Sequence, residues 1–323
     1  MPSTSPPRNA PGPPAWLADL LVDPATSQAL ESRADGAHLD GRVVAPNEGG
    51  VLRFVRDEDY AASFGREWNW FATTQLDRVS EGETESHATF FEKTGWSPAA
   101  LDGRLILDVG CGMGRFADIA SAHGARVVGV DLSRAVDAAH ANLGDRPGVA
   151  IVQADVFHLP FRPGAFDLIY SLGVLHHTPD THAAFARLPP LLKPGGTLAV
   201  WVYSGEPRER IMWAMSDLYR RLTTRLGHER LLRLCRLVEP LGRLYRTRYG
   251  RYLSPLLPVS MHPKREWRIL DTFDWYAPRY QWKHRWREVE GWYRAAGLVG
   301  VRRHPFPVAV SGERTGAALY DKR

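Results

Sequence analysis

The feature that most constrains this chain is a short apolar run that ends in an acid and passes into three glycines. Residues 105–116 read Leu-Ile-Leu-Asp-Val-Gly-Cys-Gly-Met-Gly-Arg-Phe. The continuous hydrophobicity of the first three residues is typical of a parallel strand covered on both faces. Gly110, Gly112 and Gly114 allow the backbone to turn tightly and to approach a ligand without an intervening side chain. We therefore predict a buried strand followed by a ligand-binding loop.

The spacing of these glycines separates two classes of nucleotide cofactor. The dinucleotide fingerprint requires glycines at the first, third and sixth positions, and here Arg115 stands at the sixth. An NAD-dependent reductase is therefore disfavoured. The spacing Asp-x-Gly-x-Gly-x-Gly instead resembles the first motif of class I S-adenosylmethionine-dependent methyltransferases, in which the loop holds the amino-acid end of the cofactor. The resemblance implies cofactor contacts at Asp108, Gly110, Cys111, Gly112 and Gly114.

A second apolar strand, residues 127–131, also ends in an acid. A carboxylate at the end of the second strand can accept both ribose hydroxyls of a nucleoside, which is the role we predict for Asp131. The alternative is that Asp131 only caps the following helix. The resemblance also places Asp155 on the adenine amino group and Val156 beside the adenine ring. Leu132 and Ser171, which end predicted strands or follow them, complete the expected cofactor contacts.

The later motifs follow in the order that this family shows. Residues 166–171 are predicted as the fourth strand, and residues 191–202 as the fifth, with a turn at Lys193-Pro194-Gly195-Gly196. Together the motifs span residues 105–203. They resemble most closely the small-molecule, ubiquinone-methylase-like branch of the family.

A chain of 323 residues is long enough for one large α/β domain with additions. We expect a doubly wound, mostly parallel sheet of seven strands whose last strand is antiparallel. The predicted segments are a Pro-rich disordered tail (1–15), a small β-rich extension without zinc (16–56), a helical lid (57–100), the S-adenosylmethionine-binding core (101–203), a helical and aromatic substrate-cap insertion (204–283), and the last helix with the closing strands (284–323).

The predicted extension resembles a zinc-ribbon-like segment that precedes the core in some members of this branch. That segment usually opens with two cysteines spaced three apart, where this chain has Asp23 and Thr26. Structural zinc needs four soft or imidazole ligands, so we expect no metal. The two cysteines, Cys111 and Cys235, offer no disulfide framework, which favours a reducing, cytoplasmic setting. No apolar run is long enough for a membrane span.

The first half of the insertion has the pattern of helices, because apolar residues recur three and four apart. Its polar face is basic: twelve arginines lie between Arg208 and Arg251, against four acids. Such a stretch can attract nucleic acid, a membrane surface or an acidic substrate, and it is equally typical of a solvated face. A net charge of only +5 and the lack of a recognisable RNA-binding module argue against nucleic acid.

Two aromatic-rich segments are candidates for the acceptor site. Residues 60–77 resemble a lid over the cofactor, although an aromatic stripe is also typical of core packing. Residues 270–282 interleave aromatics, acids and an arginine with little period, which suits a pocket wall or a packed loop. The predicted acceptor contacts are Tyr60, Trp68, Gln75, Asp274, Tyr276, Arg279 and Tyr280.

The residues after strand four face the acceptor in class I enzymes. Methylases of adenine or glutamine amino groups carry Asn or Asp followed by two prolines and an aromatic there, and residues 171–180 do not match that pattern. The adjacent His176 and His177 can supply a general base, or can cap and pack the following helix. We expect Asp180 to orient a histidine or to cap that helix.

The sequence therefore predicts an S-adenosylmethionine-dependent methyltransferase of secondary metabolism that acts on a small or medium-sized natural molecule. Oxygen is the favoured acceptor atom, with carbon or nitrogen open. Methylation of RNA or a peptide is the first alternative. The second is a cofactor-binding subunit without catalysis, which the four intact motifs disfavour. The sequence does not predict the acceptor's identity or the oligomeric state.

Overall fold

The computed structural model describes residues 12–55, 59–79, 84–207 and 210–316. The strands are β1 Glu31–Arg33, β2 Gly36–Leu39, β3 Arg42–Glu48, β4 Val51–Arg53, β5 Leu105–Val109, β6 Arg126–Asp131, β7 Val149–Gln153, β8 Phe166–Leu172, β9 Leu192–Trp201, β10 Leu298–Arg303 and β11 Ala309–Arg314. The helices are α1 Ala15–Ala18, α2 Ala62–Trp70, α3 Glu85–Thr94, α4 Arg115–Ala122, α5 Ala135–Leu143, α6 Thr181–Ala186, α7 Arg210–Thr223, α8 His228–Tyr245, α9 Arg265–Tyr276 and α10 Trp286–Ala295.

These strands pair in one sheet in the order β1-β2-β3-β4-β7-β6-β5-β8-β9-β11-β10. The five strands from β7 to β9 in this order are parallel, and β11 is antiparallel to both of its neighbours. The mixed α/β architecture is therefore confirmed, but the predicted count of seven strands is wrong for the whole sheet. Four strands before the core extend it, because the apolar β4 pairs in parallel with the edge strand β7.

One predicted turn lies inside a strand. Residues 193–196 belong to β9, which begins at Leu192, and the pairing register shifts between Phe166 and Leu168 of β8. The two glycines thus form an irregularity in the ladder, as glycines within strands commonly do.

The carboxyl ends of the parallel strands meet at one edge of the sheet. The glycine loop follows β5, Asp131 ends β6, and a short 3-10 turn, Leu175–His177, follows β8. In open α/β sheets ligands bind outside this edge. Helices α2 and α9 pack against each other, and side chains from both line a cavity at this edge.

The second half of the insertion is helical where the sequence reading found little period. Helix α9 begins at Arg265, so the apolar residues Trp267, Leu270 and Phe273 recur three apart and all are buried. The segment from residue 270 onward contains only the second half of α9, so the helical period of its apolar residues is not apparent there. Arg268, which is 1% exposed, joins α9 to α8 by donating Nε–H to Glu239 at 2.7 Å.

Helices α7 and α8 lie in the first half of the insertion, but several of their apolar residues face solvent. Leu222 is 68% exposed and Leu237 is 76% exposed. The buried face of α7 instead includes Arg220, which donates to the backbone carbonyls of Trp275 and Pro278. The helical period therefore locates these helices but does not identify the buried face. Of the arginine stretch, residues 208–209 lie outside the described residues.

In the extension, Asp23 and Thr26 bind each other. Thr26 Oγ1 donates to Asp23 Oδ2 at 2.7 Å, within a turn closed by backbone hydrogen bonds between Asp23 and its neighbours. Within the described part of the chain, no group of three or more His, Cys, Asp or Glu side chains could hold a metal ion. Nor does any described helix combine the length and hydropathy that a membrane crossing requires. Residues 1–11 of the predicted disordered tail lie outside the described residues.

Two helical glycines, Gly242 of the insertion and Gly291 of α10, differ in how tightly their surroundings are packed. A Cβ added at Gly242 of α8 would lie 2.2 Å from the backbone oxygen of Ser260 and 2.7 Å from Arg268 Cδ, whereas Gly291 of α10 has nothing within 4 Å. We expect Gly242→Ala to lower the free energy of unfolding by about 1–3 kcal/mol through overpacking. Gly291→Ala should raise it by about 0.5–1 kcal/mol through helix propensity. Denaturant unfolding measures both, and an unaltered Gly242→Ala protein would contradict the packing of α8 on α9.

Candidate active site

A cavity of about 550 Å³ opens at the carboxyl edge of the sheet, within the size range of small-molecule sites. One wall is the glycine loop with the ends of β6 and β7. The opposite walls come from helices α2 and α9 and from the ends of β8 and β9. The loop after β5 and the insertion, which are far apart in sequence, therefore share one space.

The glycine loop has a backbone that side chains would disrupt. Gly112 has φ +54°, and a Cβ there would lie 3.1 Å from Trp68 Nε1. Gly110 has φ +80°, and its Cβ would lie 2.3 Å from a methyl carbon of Val174. Both positions combine left-handed backbone with close packing, so glycine is required at each. The loop thus presents bare backbone to the cavity.

Asp131 ties this loop to the end of β6. Its Oδ2 accepts the Gly112 N–H at 3.0 Å, and its Oδ1 accepts both the N–H and the hydroxyl of Ser133, at 2.9 and 2.7 Å. A carboxylate has about four lone-pair sites. With three protein donors in place, Asp131 retains acceptor capacity for a ribose hydroxyl.

Six of the predicted cofactor residues line the cavity: Gly110, Cys111, Gly112, Asp131, Leu132 and Val156. The other four do not. Ser171 is buried and donates its hydroxyl to the Val109 carbonyl, and Asp155 accepts the backbone N–H of Phe157 as a helix cap. Gly114 begins α4. Asp108 is buried beneath the loop, where burial raises its pKa to about 8.

These residues fit S-adenosylmethionine by the chemistry of their groups. Bare backbone at Gly110 and Gly112 admits a ligand to the loop, and the Asp131 carboxylate has acceptor capacity for a sugar hydroxyl. Val156 and Leu132 add apolar surface suited to a purine ring. Asp155 lies just behind this wall and also accepts the Tyr60 hydroxyl at 3.5 Å.

The two histidines have different environments. His177 lines the cavity, and its Nδ1 lies 2.9 Å from the carbonyl oxygen of Tyr280. A carbonyl can only accept, so Nδ1 carries the proton and Nε2 has a free lone pair. Burial lowers the pKa of His177 to about 3, which keeps the ring neutral at pH 7. His176 does not line the cavity; its ring packs 3.9 Å from that of Tyr203. Asp180 caps α6 by accepting the Ala183 N–H.

The predicted acceptor contacts divide in the same way. Tyr60, Trp68, Gln75 and Asp274 line the cavity. Tyr276, Arg279 and Tyr280 do not. The Tyr276 hydroxyl donates to the Pro258 carbonyl within the helical core of the insertion, because the helical path of α9 turns this side chain away from Asp274. Arg279 is exposed and lies over the ring of Tyr280. Tyr280 contacts His177 through its backbone carbonyl, which accepts the Nδ1–H hydrogen bond.

Sequence reasoning missed several polar side chains that line the cavity: Glu67, Lys93, Arg115, Tyr203 and Asp271. Asp271 could have been found, because it stands one helical turn before Asp274 once α9 is recognised. Arg115 was noted only as a departure from the dinucleotide pattern. Its guanidinium donates to Ser86 Oγ at 2.9 Å and to Gln75 Oε1 at 3.3 Å. Nothing in the sequence around Glu67 or Lys93 indicates that these side chains line a cavity.

The cavity is electrostatically unusual because several ionisable groups are buried together. Burial raises the pKa of both Asp271 and Asp274 to about 6. Burial also raises the pKa of Glu67 and lowers that of Lys93. The Tyr203 hydroxyl donates to Asp274 Oδ2, and the other oxygen of Asp274 lies 3.9 Å from His177 Nε2. Strongly perturbed groups that share a cleft are typical of functional sites.

Residues 107–200 match the family model described as a methyltransferase domain. The match begins in β5 and ends in β9, and it includes the glycine loop, Asp131, Val156 and His177. The match covers less than half of the chain and supports a class I methyltransferase domain over this segment.

Curated relatives of this domain act on different classes of molecule. The chain is 37% identical over 109 residues to a ubiquinone biosynthesis O-methyltransferase of Thiobacillus denitrificans, covering 32% of this chain and 45% of that protein. It is 37% identical over 105 residues to the 27-O-demethylrifamycin SV methyltransferase of Amycolatopsis mediterranei, covering 30% and 38%. It is 29% identical over 162 residues to a sterol 24-C-methyltransferase of Saccharomyces cerevisiae, covering 47% and 39%. The aligned part spans less than half of each relative.

Asp131 is the sharpest test of the cofactor wall. Asp131→Ala removes an acceptor for a ribose hydroxyl and releases the Gly112 N–H. One hydrogen bond to a charged acceptor is worth about 1.5–3 kcal/mol, so we expect the Kd for S-adenosylmethionine to rise about 10- to 100-fold. Asp145→Ala, at an exposed acid in the turn between α5 and β7, is the control. Calorimetric titration decides, and equal affinities for the two folded variants would refute the role of Asp131.

Proposed function

We propose that this chain transfers a methyl group from S-adenosylmethionine to an oxygen atom of a small or medium-sized natural molecule. The observation that carries the proposal is the single cavity shared by the glycine loop and the insertion. A cofactor bound at the glycine loop would occupy one part of the cavity. The acceptor would then occupy the remaining part, beneath α2 and α9. These helices cover the cavity, so its dimensions favour a small molecule over a polymer. Two O-methyltransferases among the relatives support the choice of oxygen, and the small-molecule branch that the motifs resemble supports it too.

When bound, S-adenosylmethionine supplies an electrophilic methyl group on its sulfonium. The chain must hold an acceptor oxygen in line with that group, and positioning alone can supply several kcal/mol of the barrier. It must also take the proton that the acceptor hydroxyl loses. The aromatic side chains of Phe64, Trp201 and Trp213 line the same space and exclude water from it.

We assign the proton transfer to His177 together with Asp274. His177 lines the cavity, and its Nε2 has a free lone pair because Nδ1–H is held by the Tyr280 carbonyl. A pKa of about 3 makes the ring a weak base on its own. Asp274 Oδ1 lies 3.9 Å from Nε2, so an ionised Asp274 would stabilise an imidazolium that forms during proton transfer; burial raises the pKa of Asp274 to about 6. His176 has no comparable access.

Isotope labelling tests the activity. The protein is incubated with methyl-deuterated S-adenosylmethionine and with separate small-molecule, RNA and protein fractions of a cell extract. We expect label in the small-molecule fraction, on oxygen. Label confined to RNA or protein would contradict the proposed acceptor class. Absence of label from every fraction, with cofactor bound, would favour a subunit that binds the cofactor without catalysis.

His177→Ala tests the base. The substrate is the acceptor that the labelling experiment identifies. We expect kcat to fall about 10²- to 10⁴-fold while the Kd for S-adenosylmethionine stays nearly constant. His182→Ala, at an exposed histidine of α6, is the control. In the unmodified protein Asp274 is protonated below its pKa of about 6, so kcat should fall as the pH drops through that value. A His177→Ala enzyme with full kcat would exclude His177 as the base.

A further inference from the structure

Glu67 of α2 is a buried carboxylate without a partner. It is 0% exposed, it lines the cavity, and neither of its oxygens accepts a hydrogen bond. Buried polar groups are nearly always hydrogen-bonded, and buried charges are nearly always paired. A carboxylate in this state therefore indicates a group that the protein does not itself supply.

The surroundings of Glu67 add negative charge. Asp271 and Asp274 of α9 are near enough to raise the pKa of Glu67 further. The other two acids have partners: Asp271 accepts the Ser260 hydroxyl at 2.8 Å and is favoured in its charged form by Arg115, and Asp274 accepts the Tyr203 hydroxyl. Of these three neighbouring carboxylates, only Glu67 lacks any counterpart.

The other unsatisfied atoms of the cavity wall indicate what the missing group supplies. Among the described residues that line the cavity, the buried side-chain atoms without a partner are both oxygens of Glu67, Nε2 of His177 and Nε1 of Trp213. The oxygens and His177 Nε2 accept hydrogen bonds, and only Trp213 Nε1 donates. A ligand that satisfies most of this wall must therefore bring hydrogen-bond donors.

The wall favours an organic cation over a metal ion. No group of three or more His, Cys, Asp or Glu side chains in the described ranges could hold a metal. Aromatic side chains line the same cavity, among them Phe64, Tyr203 and Trp213, and Tyr203 stacks on Trp213 with ring centroids 5.4 Å apart. Aromatic faces attract ammonium groups, more strongly when these are desolvated.

We propose that the acceptor molecule carries an ammonium group, and that Glu67 binds it beside Asp271 and the aromatic wall. The inference rests on the proposed function, since it takes this cavity as the acceptor site. It narrows the substrate class to amine-bearing small molecules and makes Glu67 a specificity-determining residue. The oxygen that receives the methyl group would then be a separate atom of the acceptor, near His177 and Asp274.

A matched pair of ligands tests the proposal without knowledge of the natural acceptor. Benzylamine and benzyl alcohol are titrated into the full chain saturated with S-adenosylhomocysteine, and binding is followed by ligand-observed NMR. One hydrogen bond to a charged group is worth about 1.5–3 kcal/mol, so we expect benzylamine to bind at least about 10-fold more tightly. Glu67→Gln should abolish the preference. Glu266→Gln, at an exposed acid of α9, should retain it.

Three results would overturn the proposal: equal or tighter binding of the alcohol, no binding of either ligand up to its solubility, or an unaltered preference in Glu67→Gln. A fourth result that would overturn the proposal concerns the cofactor, because the cofactor has its own ammonium group. If Glu67→Gln weakens S-adenosylhomocysteine binding about 10-fold or more, Glu67 belongs to the cofactor site. If S-adenosylhomocysteine does not bind the unmodified protein, the proposed function fails as well. Cofactor binding without an amine preference removes only the present inference.

Discussion

The hydrogen bond from the Gly112 N–H to the Asp131 carboxylate organises the functional edge of this molecule. It joins the loop after β5 to the end of β6, two strands that are neighbours in the sheet. The same loop packs against Trp68 of the lid helix α2, and α2 packs against α9 of the insertion. The Asp131 carboxylate therefore anchors the loop, the loop contacts the lid helix α2, and α2 contacts the insertion helix α9 that lines the cavity with it.

The central strands and the glycine loop were predictable from the sequence because they are defined by local backbone geometry. Continuous apolar strands that end in acids, and glycines at fixed spacing, are local sequence signals. The glycine loop, β5, β6, β8 and α10 lie close to the positions that the sequence predicts. The eleven-stranded sheet was not predictable in this way. The pairing of β4 with β7 joins residues about a hundred positions apart, and the short apolar run of Val51 and Leu52 does not indicate its partner.

The candidate acceptor site was only half predictable, for a physical reason. Asp274 and Tyr276 are two positions apart, and in a helix such residues face different directions. Once α9 forms, Asp271 and Asp274 share the cavity face while Tyr276 turns into the helical core. Glu67 and Lys93 acquire their unusual states only through burial by distant segments. The proposed acid–base chemistry in this cavity thus depends on the tertiary fold, whereas the proposed cofactor contacts follow the local motifs.

We propose that the glycine loop and Asp131 bind S-adenosylmethionine. Equilibrium titration of the purified chain with S-adenosylmethionine and, separately, with NADH tests it most directly. The structure and the family match predict saturable binding of S-adenosylmethionine at one site per chain and no competition from NADH. Binding of NADH at this site, or a folded protein with no affinity for S-adenosylmethionine, would contradict the claim.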